Sequence, residues 1–289
     1  MILVTGATGT IGSHVARQLT ERGVPFRAMS RRERPDGVPG LDGAPGPDGA
    51  QPDWIRADFD DPASLATALT DIETVFLVTA PPTPTAAHDL ALLTAARAAG
   101  SVRRIVKLSA IGTGEQFDGA TVGAWHHAAE QAIEASGLAW TMLRPPSFAS
   151  NVLFYRALIH AGEPIPNLVG DARQAIVDPR DVAAVAVAAL TGDAHDGQRY
   201  TVTGPELLTF ADQAAVLERV LERVLQRPVK VADAPGPDAV PAAIVTEIGW
   251  ARAGGAAYVT DHVRQVLGRP AGTFEQWVRD HRESFAATP

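Results

Sequence analysis

The first two dozen residues constrain this chain more than any other stretch. The apolar run Ile2-Leu3-Val4-Thr5 leads without a break into Gly6-Ala7-Thr8-Gly9-Thr10-Ile11-Gly12, and helical spacing then continues to Arg22. Three glycines between a strand and a helix have separate tasks. The first permits the tight turn, the second lets backbone approach a phosphate, and the third lets the helix pack closely on the strand. Peptide N–H groups at the helix start then face the anion. The residues this predicts at a phosphate are Gly6, Thr8, Gly9, Thr10, Ile11 and Gly12. The plain alternative is a tight turn with no ligand.

Short apolar runs and helical patterns alternate through the first half. Ile2–Thr5, Phe26–Ser30, Val75–Thr79 and Ile105–Ser109 read as buried parallel strands, a fifth run is Trp140–Leu143, and a sixth is expected at Tyr200–Thr203. Helical spacing falls at Ile11–Arg22, Ala63–Leu69, Ala86–Ala98 and Ala124–Ser136, with Gly23, Gly100 and Gly137 just beyond three of these helices, as C-terminal caps should be. Such alternation predicts an α/β fold: a Rossmann-type, doubly wound parallel sheet that binds a dinucleotide. Residues 1–150 form the nucleotide-binding domain in this reading. Residues 151–289 return to the sheet at about 176–203 and otherwise form a smaller lobe.

Two segments are of low complexity. Gly37 to Gly49 carries a glycine at every third position, which inside a globular sequence reads as a loop rather than a collagen-like helix. Val216-Leu-Glu-Arg219 recurs at 220–223 and is echoed at 224–227, lengthening one helix whose start is marked by Thr209-x-x-Asp212.

Composition removes several chemistries. A net charge of −8 with scattered basic residues argues against a nucleic-acid partner. The absence of cysteine excludes disulfides, thiolate metal sites and a cysteine nucleophile. The histidines do not fall at metal-ligand spacing, so no metal is expected. There is neither a Gly-x-Ser-x-Gly elbow nor a Gly-Lys-Ser/Thr turn. The start lacks the pattern of a signal peptide, and the longest apolar run, Val182–Leu190, is too short to span a bilayer, which makes the cytoplasm the default location without a membrane partner.

Cofactor choice is written at the end of the second strand. NAD-selective folds place an acidic residue there, whereas this chain has Ser30-Arg31-Arg32. A guanidinium offers a planar fork of donors to a 2′-phosphate, so NADP(H) is expected. Asp58 and Phe59, in Ala57-Asp58-Phe59-Asp60, follow a further strand expected between the runs Phe26–Ser30 and Val75–Thr79, where the adenine edge would lie. Asp58 as a helix cap for 62–69 is the competing reading.

The combined motifs resemble the NmrA-like family of atypical short-chain dehydrogenases. They are Gly6-x-x-Gly9-x-x-Gly12, Ala28-Met-Ser-Arg31, Ser136-Gly-Leu-Ala-Trp-Thr-Met-Leu-Arg144-Pro145, Val177-Asp178-Pro-Arg-Asp181, Thr203-Gly204-Pro205-Glu206 and Leu267-Gly-Arg-Pro270. The resemblance implies a Rossmann core and a small C-terminal lobe, with the substrate held in the cleft between them. Thr79, Ala80 and Pro81 would line the ribose and pyrophosphate side, Lys107 and Ser109 the ribose or nicotinamide, and Phe148, Asn151 and Tyr155 the substrate.

Ordinary members of the wider class use Tyr-x-x-x-Lys to pass a proton to a carbonyl oxygen. Alignment on Glu130 puts Val122 at the tyrosine position and His126 at the lysine position, so the usual proton donor is missing. His126 is the catalytic candidate, as a ligand-orienting or proton-donating group, and Glu130 one turn on is its expected partner. A histidine bonded only to Glu130 or to the cofactor ribose is the alternative. The leading expectation is an NADPH-dependent oxidoreductase reducing a flat aromatic or conjugated small molecule, such as a quinone, an enone or an azo compound. The others are a non-catalytic NADP(H) sensor and a biosynthetic tailoring reductase or epimerase. A homodimer is a candidate assembly.

Overall fold

The computed structural model describes residues 1–32, 51–225, 228–234 and 244–286. The glycine-rich stretch at 37–49 and the end of the helical repeat at 226–227 lie outside them. In chain order the elements begin β1 (Ile2–Val4), α1 (Thr10–Glu21), β2 (Phe26–Ser30), β3 (Asp53–Arg56), α2 (Pro62–Ala68), β4 (Thr74–Leu77), α3 (Ala87–Ala99) and β5 (Arg104–Leu108). A hairpin of β6 (Gln116–Phe117) and β7 (Ala120–Thr121) follows, then α4 (Ala124–Glu134), β8 (Ala139–Leu143), β9 (Ser147–Phe148), α5 (Arg156–Ala161), β10 (Ile165–Asn167), β11 (Gln174–Val177), α6 (Pro179–Thr191) and β12 (Gln198–Tyr200). The remainder is β13 (Leu207–Leu208), α7 (Phe210–Leu225), β14 (Val231–Asp233), α8 (Val245–Arg252), α9 (His262–Leu267) and α10 (Phe274–Asp280).

These elements divide into two compact units whose sequences interleave. The first comprises residues 1–113, 124–144 and 182–200, and the second comprises 114–123, 145–181 and 201–289. The first unit is a seven-stranded sheet of order β12-β8-β5-β4-β1-β2-β3. Every neighbouring pair in it is parallel. The last strand is Gln198–Tyr200 rather than the expected Tyr200–Thr203. It is an edge strand with two exposed residues, so it lacks the apolar signature of an internal parallel strand.

Strand alternation places Val75 and Leu77 of β4, Ile105 of β5 and Met142 of β8 on one sheet face, where they pack with Leu65 and Leu69 of α2, Leu92 and Leu93 of α3, and Ile133 of α4. The register aligns Val75, Ile105 and Trp140 in one row and Leu77, Lys107 and Met142 in the next. Lys107 is therefore a lysine in an otherwise apolar row. One further step along each strand comes the row of Thr79, Ser109 and Arg144, at the C-terminal edge where ligands of open α/β sheets bind.

The second unit has its own core. Leu217, Leu221 and Leu225 of α7 bury against Phe274, Trp277, Val278 and Phe285. The repeated Val-Leu-Glu-Arg is one helix with a leucine stripe at four-residue spacing. Its start is a reciprocal cap: Thr209 N–H donates to Asp212 Oδ2 at 2.9 Å, and Asp212 N–H donates to Thr209 Oγ1 at 3.0 Å. Among the described residues no helix is long and apolar enough to cross a membrane.

Candidate functional site

Gly6 has φ +59°, a left-handed conformation that its lack of Cβ makes inexpensive. A Cβ on Gly12 would lie 2.0 Å from the Gly6 carbonyl oxygen, so the first turn of α1 closes on the loop at a distance only glycine allows. Gly9 is the N-cap of α1 and supplies no side-chain cap. The first intrahelical bond runs from Ser13 N–H to Gly9 O at 3.0 Å. Thr8, Gly9 and Thr10 are exposed. The result is an exposed helix start without a side-chain cap, which is the chemistry a pyrophosphate requires. Thr5, which the sequence did not single out, ties the end of β1 to β4: its Oγ1 donates to Phe76 O at 3.0 Å and accepts from Val78 N–H at 2.8 Å. No pattern signals this, because the partners are some seventy residues apart.

At the end of β2, Ser30 Oγ accepts from Arg32 N–H at 3.1 Å, and both Arg31 and Arg32 are exposed. Among the described residues neither guanidinium is paired with a carboxylate. Asp61, not Asp58, caps α2, accepting from Ala63 N–H at 3.0 Å and Ser64 N–H at 3.3 Å. Asp58 instead closes a local turn onto Asp60 N–H at 3.1 Å. Phe59 stacks on His88 of α3 with ring centroids 5.2 Å apart.

Lys107 is 0% exposed, and its Nζ donates to Asp89 Oδ1 of α3 at 2.5 Å. Asp89, 1% exposed, also accepts from Thr79 Oγ1 at 2.8 Å. Lys107 was expected to touch a nucleotide, but it has no exposed surface with which to do so, because burying its charge requires a full-strength partner inside the protein. Its reach is through Thr79, which precedes the exposed Ala80 and half-buried Pro81. Ser109 is buried and shares a 3.3 Å hydrogen bond with Thr113 Oγ1.

His126 lies in the first turn of α4, half-buried, with its ring tilted at 5.1 Å against Trp125. Its Nδ1 is wholly sequestered and has no hydrogen-bond partner. The expected link to Glu130 is absent. Glu130 Oε1 accepts from Arg144 Nε at 3.0 Å and Oε2 accepts from Arg144 Nη2, a bidentate pair that occupies the carboxylate. Burial first, then the charges of Lys107 and Arg144, push the imidazole down from 6.5 to about 3. The ring is therefore neutral near pH 7.

A linkage follows. Between pH 6.5 and about 3 the unfolded chain takes up a proton on His126 that the folded chain does not, so stability is lost as pH falls through this window. The slope from this group approaches about 1.4 kcal/mol per pH unit. His126→Gln is expected to reduce the loss of unfolding free energy between pH 7 and pH 5 seen in urea titrations. Identical losses in the two proteins would refute the depressed ionisation.

In the second unit, Phe148 in β9 and Asn151 just after it are half-buried, and Tyr155 packs against the unit's apolar core, where burial raises its phenol. Val122, at the position of the missing tyrosine, is 1% exposed.

A parallel sheet opened by a glycine turn, with an uncapped helix start at its C-terminal edge, defines a dinucleotide-binding fold. Residues 6–193 match a family described as NAD(P)H-binding. The chain is 40% identical to the (4-alkanoyl-5-oxo-2,5-dihydrofuran-3-yl)methyl phosphate reductase of Streptomyces griseus, over 99% of both chains. It is 34% identical to the NAD(P)H azoreductase of Xenophilus azovorans, over 99% of this chain and all of that one. The NADPH-dependent quinone oxidoreductase of Escherichia coli, solved with NADPH, superposes with a TM-score of 0.76 at 25% identity, covering 97% of this chain and 99% of that one. The chain belongs to the NAD(P)H-binding family, in the NmrA-like, atypical short-chain dehydrogenase/reductase class, and is an NAD(P)H-dependent oxidoreductase.

Proposed function

We propose that the protein is an NADPH-dependent reductase of a flat conjugated acceptor, in which His126 acts as a neutral hydrogen-bond donor rather than as an acid. The observation that carries this reading is the half-buried ring of His126 on α4, whose Nδ1 is sequestered without a hydrogen-bond partner and whose ionisation is depressed by burial and then by the charges of Lys107 and Arg144. The glycine turn fits the pyrophosphate, and Arg31, with Arg32 beside it, fits a 2′-phosphate. When bound, the reduced nicotinamide supplies a hydride.

The related reductases act, by their names, on an alkanoyl dihydrofuranone and on azo compounds. In an alkanoyl dihydrofuranone of that type the ring double bond is conjugated to two carbonyls. Hydride on the distal carbon sends the electron pair into a 1,3-dicarbonyl enolate, which is stable without immediate protonation. Quinones give phenolates in the same way. Such acceptors suit a site that has lost its tyrosine and whose histidine holds its proton as a hydrogen-bond donor. An isolated ketone, which yields a basic alkoxide, does not.

The test is oxidation of NADPH followed with an acyl dihydrofuranone, a quinone, an azo dye and a simple ketone. The first three should turn over in some order and the ketone should lag far behind. No turnover with any conjugated acceptor would overturn the assignment in favour of a nucleotide sensor. Cofactor preference is checked separately. NADPH should bind more tightly than NADH, and Arg31→Ala should weaken NADPH by about tenfold or more while leaving NADH little changed, since a charge-assisted bond is worth roughly 1.5–3 kcal/mol. Equal affinities in the unaltered protein would remove the 2′-phosphate role.

A further inference from the structure

The end of β4 is fastened from two sides. On one, Thr5 Oγ1 accepts from Val78 N–H at 2.8 Å and donates to Phe76 O at 3.0 Å, and Gly6 lies so close to Val78 that a Cβ there would meet the valine Cβ at 3.2 Å. On the other, Thr79 Oγ1 donates to Asp89 Oδ2 of α3 at 2.8 Å, and Lys107 Nζ of β5 donates to Asp89 Oδ1 at 2.5 Å. The first set already fixes the backbone of the strand end beside the glycine turn. The second places a charged pair in a row whose other members, Leu77 and Met142, are apolar and fully buried. Buried pairs of this kind contribute little to stability, because removing both charges from water offsets most of their attraction.

What the pair does settle is the direction of one hydrogen bond. A carboxylate held by an ammonium has only acceptor atoms to offer, so the threonine hydroxyl must be the donor and its single proton is committed inward. Its lone pairs remain, and among the described residues nothing donates to them. Thr79 is half-buried, next to the exposed Ala80, at the C-terminal edge of the sheet. It is a hydroxyl that can only accept, at a place that ligands of such sheets reach.

Sheet order says which part of a dinucleotide passes there. The glycine turn follows β1, and the order β5-β4-β1-β2-β3 puts β2 and β3 on one side of it and β4 on the other. With the 2′-phosphate assigned to the end of β2 and the adenine edge beyond β3, the nicotinamide half falls to β4. The pyrophosphate brings only acceptors and gains nothing from Thr79 Oγ1, whereas the ribose brings hydroxyl donors. We propose that Thr79 Oγ1 accepts a hydrogen bond from a hydroxyl of the nicotinamide-side ribose, and that Asp89 and Lys107 are positioning residues that fix the polarity of the threonine hydroxyl. The inference rests on the NADP(H) reading of the site. A hydroxyl free to rotate would lose that freedom on binding, and one already committed does not.

In the experiment NADPH and adenosine 2′,5′-bisphosphate, which carries the 2′-phosphate but no nicotinamide ribose, are titrated calorimetrically into the unaltered protein, Thr79→Ser, Thr79→Val, Asp89→Asn and the Thr79→Val/Asp89→Asn double variant. In Asp89→Asn the amide oxygen can still accept from Lys107, which turns the amide N–H groups toward Thr79 and reverses the bond, so that the hydroxyl must donate outward. Thr79→Ser and Thr79→Val leave the ion pair in place, so the test does not depend on the stability of the asparagine variants.

Thr79→Ser should keep the NADPH affinity of the unaltered protein. Thr79→Val and Asp89→Asn should each weaken NADPH by about three- to tenfold, the worth of one neutral hydrogen bond, and the double variant no more than Thr79→Val alone, because Asp89 acts through the hydroxyl that valine lacks. Adenosine 2′,5′-bisphosphate should bind every form alike. Unchanged NADPH affinity in Thr79→Val, or losses that multiply in the double variant, would overturn the inference and leave the pair a fastening of α3. A parallel loss of bisphosphate affinity would mean a loosened site and would overturn it as well. Failure of both ligands to bind the unaltered protein would overturn the cofactor reading and the inference together.

Discussion

Replacing His126 with alanine is expected to lower turnover with a conjugated acceptor by about a hundred- to a thousandfold, the size of effect seen when one donor to a developing anion is removed from a dry site. NADPH dissociation should change little, because the nucleotide's phosphates are assigned to α1 and to the end of β2, not to α4. The division between kcat and affinity separates the competing roles. A histidine bonded only to the ribose would give weaker NADPH binding with turnover at saturation preserved. Normal values of both quantities would remove His126 from the site. The pH profile adds a check: with the imidazole held neutral down to about pH 3, no limb near pH 6.5 in kcat should disappear on substitution.

Gly12→Ala is expected to abolish measurable NADPH binding and to lower the melting temperature. Its Cβ would stand 2.0 Å from the Gly6 oxygen and 2.6 Å from the Gly6 carbonyl carbon, both backbone atoms, so the loop or the helix must move. Displacing the helix start costs the phosphate several charge-assisted hydrogen bonds at once. At roughly 1.5–3 kcal/mol each, two lost bonds already weaken binding by more than about a hundredfold. Gly9→Val provides the contrast. A Cβ there meets only the Gly6 oxygen, at 3.3 Å, and the position is exposed with φ −89°, so the fold should survive while the branched side chain occupies the approach to the phosphate. Near-normal NADPH affinity in Gly9→Val would mean that the loop is a structural turn and not a phosphate cradle.

Part of this architecture could be read from local pattern because local physics produces it. Apolar runs mark the strands buried on both faces, and the positive-φ glycines at 23, 100 and 137 follow helices where chain reversal requires them. The same rule misplaced the last strand, since β12 is an edge strand of polar residues and the buried Val202 and Thr203 beyond it are not part of the sheet. The domain reading cut the chain once, near residue 150. The hairpin at 114–123 groups with the second unit, a three-dimensional association that leaves no mark in composition.

The site divides along the same line. The glycine turn and the paired arginines after β2 are statements about residues adjacent in sequence, and the sequence by itself determined them, while the missing tyrosine followed from the resemblance to short-chain dehydrogenases. It also placed His126 on a helix one turn from Glu130, and spacing alone made them partners. Only the tertiary structure decided otherwise. Arg144 arrives from β8, fourteen residues further on, and forms a two-pronged charged pair that a neutral imidazole cannot match. Lys107 likewise reads as a ligand-facing cation until the fold brings Asp89 under it. Which charges meet, and which are buried, depends on how strands and helices stack. Partners separated by a whole helix or strand carry no periodic signal, so the electrostatics around His126 became visible only once the sheet and its covering helices were assembled.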